Sequence, residues 1–473
     1  SQGIELLDKN RWVESRSLTV KLYTVSAETE LVLGNAEIAE QRCEEVLNQE
    51  EVSDTEKLPL KLTKERILSS VQLQYGAAMD YCLELLKELG CVLFRRKLMI
   101  PVLAIRRSLA AIKKVKKIPK ESYDTMDTIE DRKQKAIVHL LARVAFLGLM
   151  NHEMMLTQLA TCKMIEMTLQ DGLHEASAYC LTFLSVVVLF NYDYKTSCMF
   201  AETALHLVQK SGKFRNGETI MMAYSYAFAG SKALEEIQHE FFVAYTESLR
   251  VGNAEWALWS LVIHDMLFPY QLGKPLPAIL DDFPNMILQA EESSQAIHTL
   301  NLRLYKQTFL LLQNLSSTDT PELEGDLFSK ANGDDEGNQD IQASMTFLEG
   351  ELHLFSGNYE LAAKRALKVG GVFEKAQGAH FMIFIETYHR ATVLYAAAIQ
   401  TKQRKYKGAA KKLRNKIDKL EKGGNPNLKY YALHLNAEQA VVDKKFDDAD
   451  RLYKDAIESV TALKHLQHAS ISL

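Results

Sequence analysis

The stretch FSGNYELAAKRAL, Phe355 to Leu367, holds a short turn, an aromatic residue and closely spaced alanines. With Tyr359 as anchor, alanines follow at plus three and plus seven, Ala362 and Ala366. The pattern returns in KKFDDADRLYKDAI, Lys444 to Ile457, where Phe446 precedes Ala449, Tyr453 and Ala456. Tyr406 precedes Ala409, and Tyr194 precedes Ser197, Ala201 and Ala204. Near the start, LGNAEIAEQRCEEVL sets Ala36, Ala39, Cys43 and Val46 at the same offsets. Tyr75 is followed by Ala78, Cys82 and Leu85, and Leu234 by Ile237, Phe241 and Ala244. The anchors 36, 75, 194, 234, 359, 406 and 446 are separated by 39, 119, 40, 125, 47 and 40 residues. These gaps lie near one or three times a period of ~40, the mark of stacked helix pairs. Small residues three and four apart let two helices approach closely. A pair with too little core to stand alone must stack on its neighbours.

The rest of the chain agrees with an all-α fold. Its 473 residues exceed what one compact core usually serves, and only nine are proline. AIVHLLARVAFLGLM (136–150), ETIMMAYSYAFAG (218–230) and HFMIFIETYHRATVLYAAAIQ (380–400) have broad apolar faces at helical spacing. No alternating strand pattern is evident. The longest apolar run, LTFLSVVVLF from Leu181 to Phe190, is shorter than the roughly 18 residues of a membrane span and reads as a buried helix. Residues 316–340 carry eight acids and one lysine, which reads as an acidic mobile loop dividing an N-terminal array (1–315) from C-terminal repeats (341–473). The six cysteines are scattered without a CxxC pair, as expected of reduced thiols in a cytoplasmic protein. The first residues show no signal-peptide pattern, and both ends read as cut from a longer polypeptide.

DKKFDDADRLYKDAI resembles the second half of a tetratricopeptide unit, an antiparallel helix pair. A broader resemblance runs through LTVKLYTVSAETELVLGNAEIAE (18–40), VGNAEWALWSLVIHDMLFPYQLGKPL (251–276), FLEGELHLFSGNYELAAKRA (347–366) and NPNLKYYALHLNAEQAVVDKKFDDADRLYKDAI (425–457). In order and spacing these are similar to the helical array that follows the NTPase module in signalling proteins joining a STAND-type ATPase to a serine/threonine or histidine kinase. The resemblance implies a tetratricopeptide-like α-solenoid, a right-handed superhelix acting as a sensor or autoinhibitory arm. A tryptophan expected before the NPN segment is absent, and NKIDKLEKGG is lysine-rich instead.

Motifs of catalysis are missing. SGKF (211–214) and LGKP (272–275) lack the first glycine and the hydroxyl residue of a phosphate-binding loop. There is no GxSxG and no HExxH. Two ExxH pairs, Glu236/His239 and Glu386/His389, have the spacing of di-iron ligands, though solvated or capping roles account for them as well. His264 and Asp265 are adjacent, which on a helix turns them about 100° apart and disfavours a dyad. Met154, Met155, Met164 and Met167 read as core filler. No cofactor or metal is expected, and the chain reads as a non-enzyme.

Charge gives the clearest functional signal. Residues 95–120 carry ten basic side chains and no acid: Arg95, Arg96, Lys97, Arg106, Arg107, Lys113, Lys114, Lys116, Lys117 and Lys120. Residues 402–422 carry ten against two acids: Lys402, Arg404, Lys405, Lys407, Lys411, Lys412, Arg414, Lys416, Lys419 and Lys422. In a chain of net charge −5 these are either solvated helix faces or docking surfaces. The expected partner is a protein, or a neighbouring domain of the same polypeptide. RNA ranks lower because the one aromatic among the basic residues, Tyr406, is a repeat anchor. A metal-dependent helical enzyme is the third reading.

Overall fold

The computed structural model describes residues 2–8, 10–190, 192–210, 215–315, 322–329, 339–376 and 379–462. Within them the protein is all-helical, with one isolated β-bridge between Thr128 and Leu173. Consecutive helices pack side by side: Arg16–Val32 on Ala36–Leu47, Arg132–Met150 on Met154–Asp171, Ser177–Leu189 on Tyr194–Lys210, Met382–Thr401 on Arg404–Lys422, and Lys429–Val442 on Phe446–Ala462. The apolar run at 181–190 falls in Ser177–Leu189, every residue of which is buried.

Six of the seven anchors are the first residue of a helix: Ala36, Tyr75, Tyr194, Leu234, Tyr359 and Phe446. The small residues behind them face inward. Ala39, Cys43, Ala78, Cys82, Ala201, Ala204 and Ala244 are all buried. Tyr406 differs, being the third residue of its helix; the frame moves by one, so that Ala410 rather than Ala409 is fully buried. A backbone device recurs at these entries. Gly34, Leu73, Tyr192, Gly357, Lys402 and Lys444 have positive φ, each two residues before a helix begins. A left-handed residue reverses the chain in a minimum of length. Glycine is required at Gly34, where φ is +82° and an added Cβ would lie 2.3 Å from the Glu292 carbonyl oxygen.

Long-range latches fold the array back on itself. Ser294 Oγ donates to the Gly34 carbonyl at 2.7 Å. Asn427 Nδ2 donates to the carbonyls of Ala229 and Lys232, both at 2.9 Å, while its Oδ1 accepts from Leu234 N at 3.1 Å. The main apolar core draws residues from Tyr75 to Val460, two smaller clusters lie within residues 4–71, and another gathers Leu354, Ala362 and Val393. Of the stretch read as an acidic loop, 316–321 and 330–338 lie outside the described residues. Residues 322–329 are irregular and bury Leu323 and Phe328 in the main core.

A buried ion network ties the N-terminal helices to the middle of the chain. Arg143 donates from Nε and Nη2 to Glu65 at 2.8 and 2.9 Å, and from Nη1 to Glu255 at 3.0 Å. Nη2 also reaches Ser69 at 3.0 Å, and Ser70 donates to Glu255 at 3.2 Å. Both serines lie in a π-helical turn, Ile67–Val71, which widens the helix so that two successive hydroxyls meet the network. Burial alone would lower the Arg143 pKa; the two carboxylates reverse this and hold it well above the usual value.

Candidate functional site

The two basic segments form different surfaces. The upstream one comprises the turn before, and the whole of, the helix Ile100–Val115. That helix buries Ala104, Ser108, Ala111 and Val115, small or short residues that let it lie close to Met154–Asp171. Ser108 Oγ donates to Gln158 Oε1 at 3.4 Å and lies 3.6 Å from Cys162 Sγ. Ile100 and Ile112 are half-buried against the core, but a line of large apolar side chains faces solvent. Leu98, Val102, Ile105 and Leu109 recur four, three and four residues apart, and Leu98 and Leu109 are 91% and 64% exposed. Arg95, Arg96, Lys97, Arg106, Lys113, Lys114, Lys116 and Lys117 are exposed around this stripe, and Arg107 is half-buried. Among the described residues the basic group here with an acidic partner is Lys116, 3.6 Å from Asp193.

The downstream helix, Arg404–Lys422, has the ordinary polarity. It buries Tyr406, Ala410, Ile417 and Leu420 and exposes Lys402, Arg404, Lys405, Lys411 and Lys412, with Arg414 half-buried. Several of its charges are partnered. Lys407 pairs with Asp443 at 2.6 Å, Lys416 with Glu374 at 2.8 Å and Arg414 with Asp418 at 3.6 Å. Lys405 sits 4.7 Å over the Tyr406 ring. The two segments meet at one turn: Lys116 reaches Asp193, and Lys419 lies 5.7 Å over the ring of Tyr192.

The remaining candidates separate. Glu386 accepts from the backbone N–H groups of Val372 and Phe373 at 2.6 and 3.1 Å, so it caps the short helix Val372–Ala376. His389 Nδ1 lies 3.0 Å from Glu351, and its ring stacks on Phe347. Glu236 and His239 are exposed on the helix Leu234–Arg250. No group of three or more His, Cys, Asp or Glu with metal-ligand placement occurs among the described residues. His264 and Asp265 do meet, contrary to the expectation from helical geometry: Nδ1 and Oδ1 are 2.6 Å apart. They lie in a second π-helical turn, Ile263–Leu267, whose wider winding departs from the 100° step. Met164 and Met167 are buried, whereas Met155 is partly exposed.

The exposed apolar stripe was not singled out from the sequence. Two stripes of nearly helical spacing run along Ile100–Val115, and periodicity alone does not say which faces inward. The signal available was size: one stripe is alanine and serine up to Val115, the other leucine, isoleucine and valine throughout.

No family model, no curated protein and no solved structure matches this chain. No helix among the described residues is long and apolar enough to cross a membrane.

Proposed function

We propose that the chain is a non-catalytic protein-interaction scaffold, a tetratricopeptide-like α-solenoid wound as a right-handed superhelix, whose upstream basic helix docks an acidic amphipathic helix. The reading places it as the regulatory or sensor arm of a signalling ATPase or kinase, acting in the cytoplasm. The repeat reading is supported by the six anchors that open helices and by the left-handed residue two positions ahead of five of them. The observation that carries the docking reading is the helix Ile100–Val115, which turns Ala104, Ser108 and Ala111 inward and leaves Val102, Ile105 and Leu109 outward among basic residues of which, among the described residues, Lys116 alone has an acidic partner. Each aliphatic side chain contributes roughly 1.5–3 kcal/mol when a partner covers it fully. The basic rim selects a helix whose flanks are acidic, and sets orientation and on-rate.

The test is a fluorescence-anisotropy titration with a designed helical peptide, leucine on one face and glutamate on its flanks. Saturable binding by the wild type is expected, weakened by salt and lost on Ile105→Asp with Leu109→Asp. Binding unaffected by that double change refutes the reading, as does binding to phosphatidylserine vesicles with none to the peptide. One observation favours RNA as a second reading: the half-exposed ring of Tyr192 lies between the ends of the two basic segments, under Lys419. Binding of single-stranded RNA that falls steeply with salt and is weakened by Tyr192→Ala supports it. Salt-independent binding removes it.

A further inference from the structure

Where the folded-back array closes, its interior is incompletely filled. A cavity of about 80 Å³ remains between the helices that end at Met150, begin at Ala254 and Ala296, and run through Met382–Thr401. Its walls are apolar and adaptable, with Trp256 and Trp259 opposite methionines that include Met150, Met222 and Met266. Two π-helical turns contribute to it, Ala223–Ala227 through Tyr226 and Ile263–Leu267 through Met266. Such insertions widen a helix locally and recur at functional sites.

Ser344 and His380 line it as well, but three polar groups come from one face of the helix Ala296–Gln313, where His298, Asn301 and Tyr305 follow at helical spacing. His298 is 1% exposed and its ring stands edge-on to Trp259, centroids 4.7 Å apart. Burial holds its pKa down to about 4, against the charge of the Glu255 carboxylate and a hydrogen bond to the Glu255 backbone, which both raise it, so the imidazole is neutral. Nε2 has no partner among the described residues, which leaves a lone pair unused. Asn301 is 7% exposed, and its Oδ1 is likewise buried without a partner. Two orphaned polar atoms in an apolar cavity are costly to a folded chain unless something satisfies them.

We infer that this cavity binds a small neutral molecule of single-ring size with an apolar body and an O–H or N–H donor, a phenol-like ligand that donates to His298 Nε2 and packs against Trp256 and Trp259. An apolar cavity of about 150 Å³ accepts benzene. The present one is smaller, and the unbranched methionine side chains supply the room by changing rotamer. The site is independent of the docking helix, so either proposal can fail alone.

The experiment compares phenol with toluene, which has the same number of heavy atoms and no donor. Two of the three tryptophans line the cavity, so quenching of tryptophan emission in the full chain reports occupancy. Saturable binding of phenol is expected, with toluene weaker by about tenfold or more. In His298→Leu, phenol should fall to the level of toluene. Absence of saturable phenol binding overturns the inference, and so does equal affinity for the two in the wild type. That comparison needs no substitution and stands even if the variant does not fold.

Discussion

The helices Ile100–Val115 and Arg404–Lys422 are both rich in lysine and arginine, yet the fold uses them in opposite ways. The downstream helix turns its tyrosine, isoleucine and leucine inward and pairs several of its cations with Asp443, Glu374 and Asp418. Its charge is that of a solvated face. The upstream helix turns mainly alanine and serine inward and leaves Val102, Ile105 and Leu109 outside among cations. Basic composition therefore does not identify a docking surface; what distinguishes one is large apolar residues left uncovered beside charge.

The sharpest way to break this contrast is one substitution made in both places. Ile417→Ala empties a fully buried position and is expected to cost about 2–5 kcal/mol, whereas Ile105→Ala, more than half exposed, should stay within about 0.5 kcal/mol of wild type in urea unfolding. Equal losses would mean that Ile105 is covered in solution.

Acid should treat the two sides alike. His174 bonds Thr168 of the helix that supports the upstream segment, and His434 lies on the helix behind the downstream one. Burial lowers both pKa values to about 4, partly offset at His174 by a bond to the Met164 carbonyl. Above the unfolded value of about 6.5 neither state holds the proton and stability is full. As pH falls from about 6.5 towards 4, the unfolded chain takes up protons that the folded chain refuses, and stability drops by up to roughly 3 kcal/mol per histidine. Thermal unfolding followed between neutral pH and pH ~4.5 should show a falling Tm. A flat profile would mean that these rings are protonated or hydrated in the folded state.

Docking separates the helices again. Ile105→Asp is expected to weaken the acidic peptide by about tenfold or more, near 1.4 kcal/mol. Lys411→Glu with Lys412→Glu should change it by no more than about twofold. The smallest expected effect concerns the ion pairs. Lys416→Ala removes the contact with Glu374 and should cost about 0.2–1 kcal/mol, while Lys113→Ala, with no ion pair among the described residues, should cost nothing measurable.

Much of the helical framework was legible because its signal is local. An anchor followed by small or apolar residues at plus three, seven and ten marks a helix entry, and six such anchors open helices. Tyr406 slipped because its left-handed entry residue, Lys402, stands two positions further ahead of it than at the five anchors that have one. The entry device itself was hidden, since Leu73, Tyr192, Lys402 and Lys444 adopt a conformation usually advertised by glycine. Non-local features had no sequence signature. Glu65, Arg143 and Glu255 become a network only when three distant helices meet, and His298 and Asn301 become orphaned acceptors only around a cavity. The stretches 95–120 and 402–422 were found by charge, and the different surfaces they form depend on which face each helix buries.

The most direct test of the docking account is hydrogen–deuterium exchange of the full chain with and without the acidic amphipathic peptide. The account expects slowed exchange over residues 97–115 and none of comparable size over 404–422. Protection confined to the downstream helix, or absent from 97–115 at saturating peptide, would contradict it.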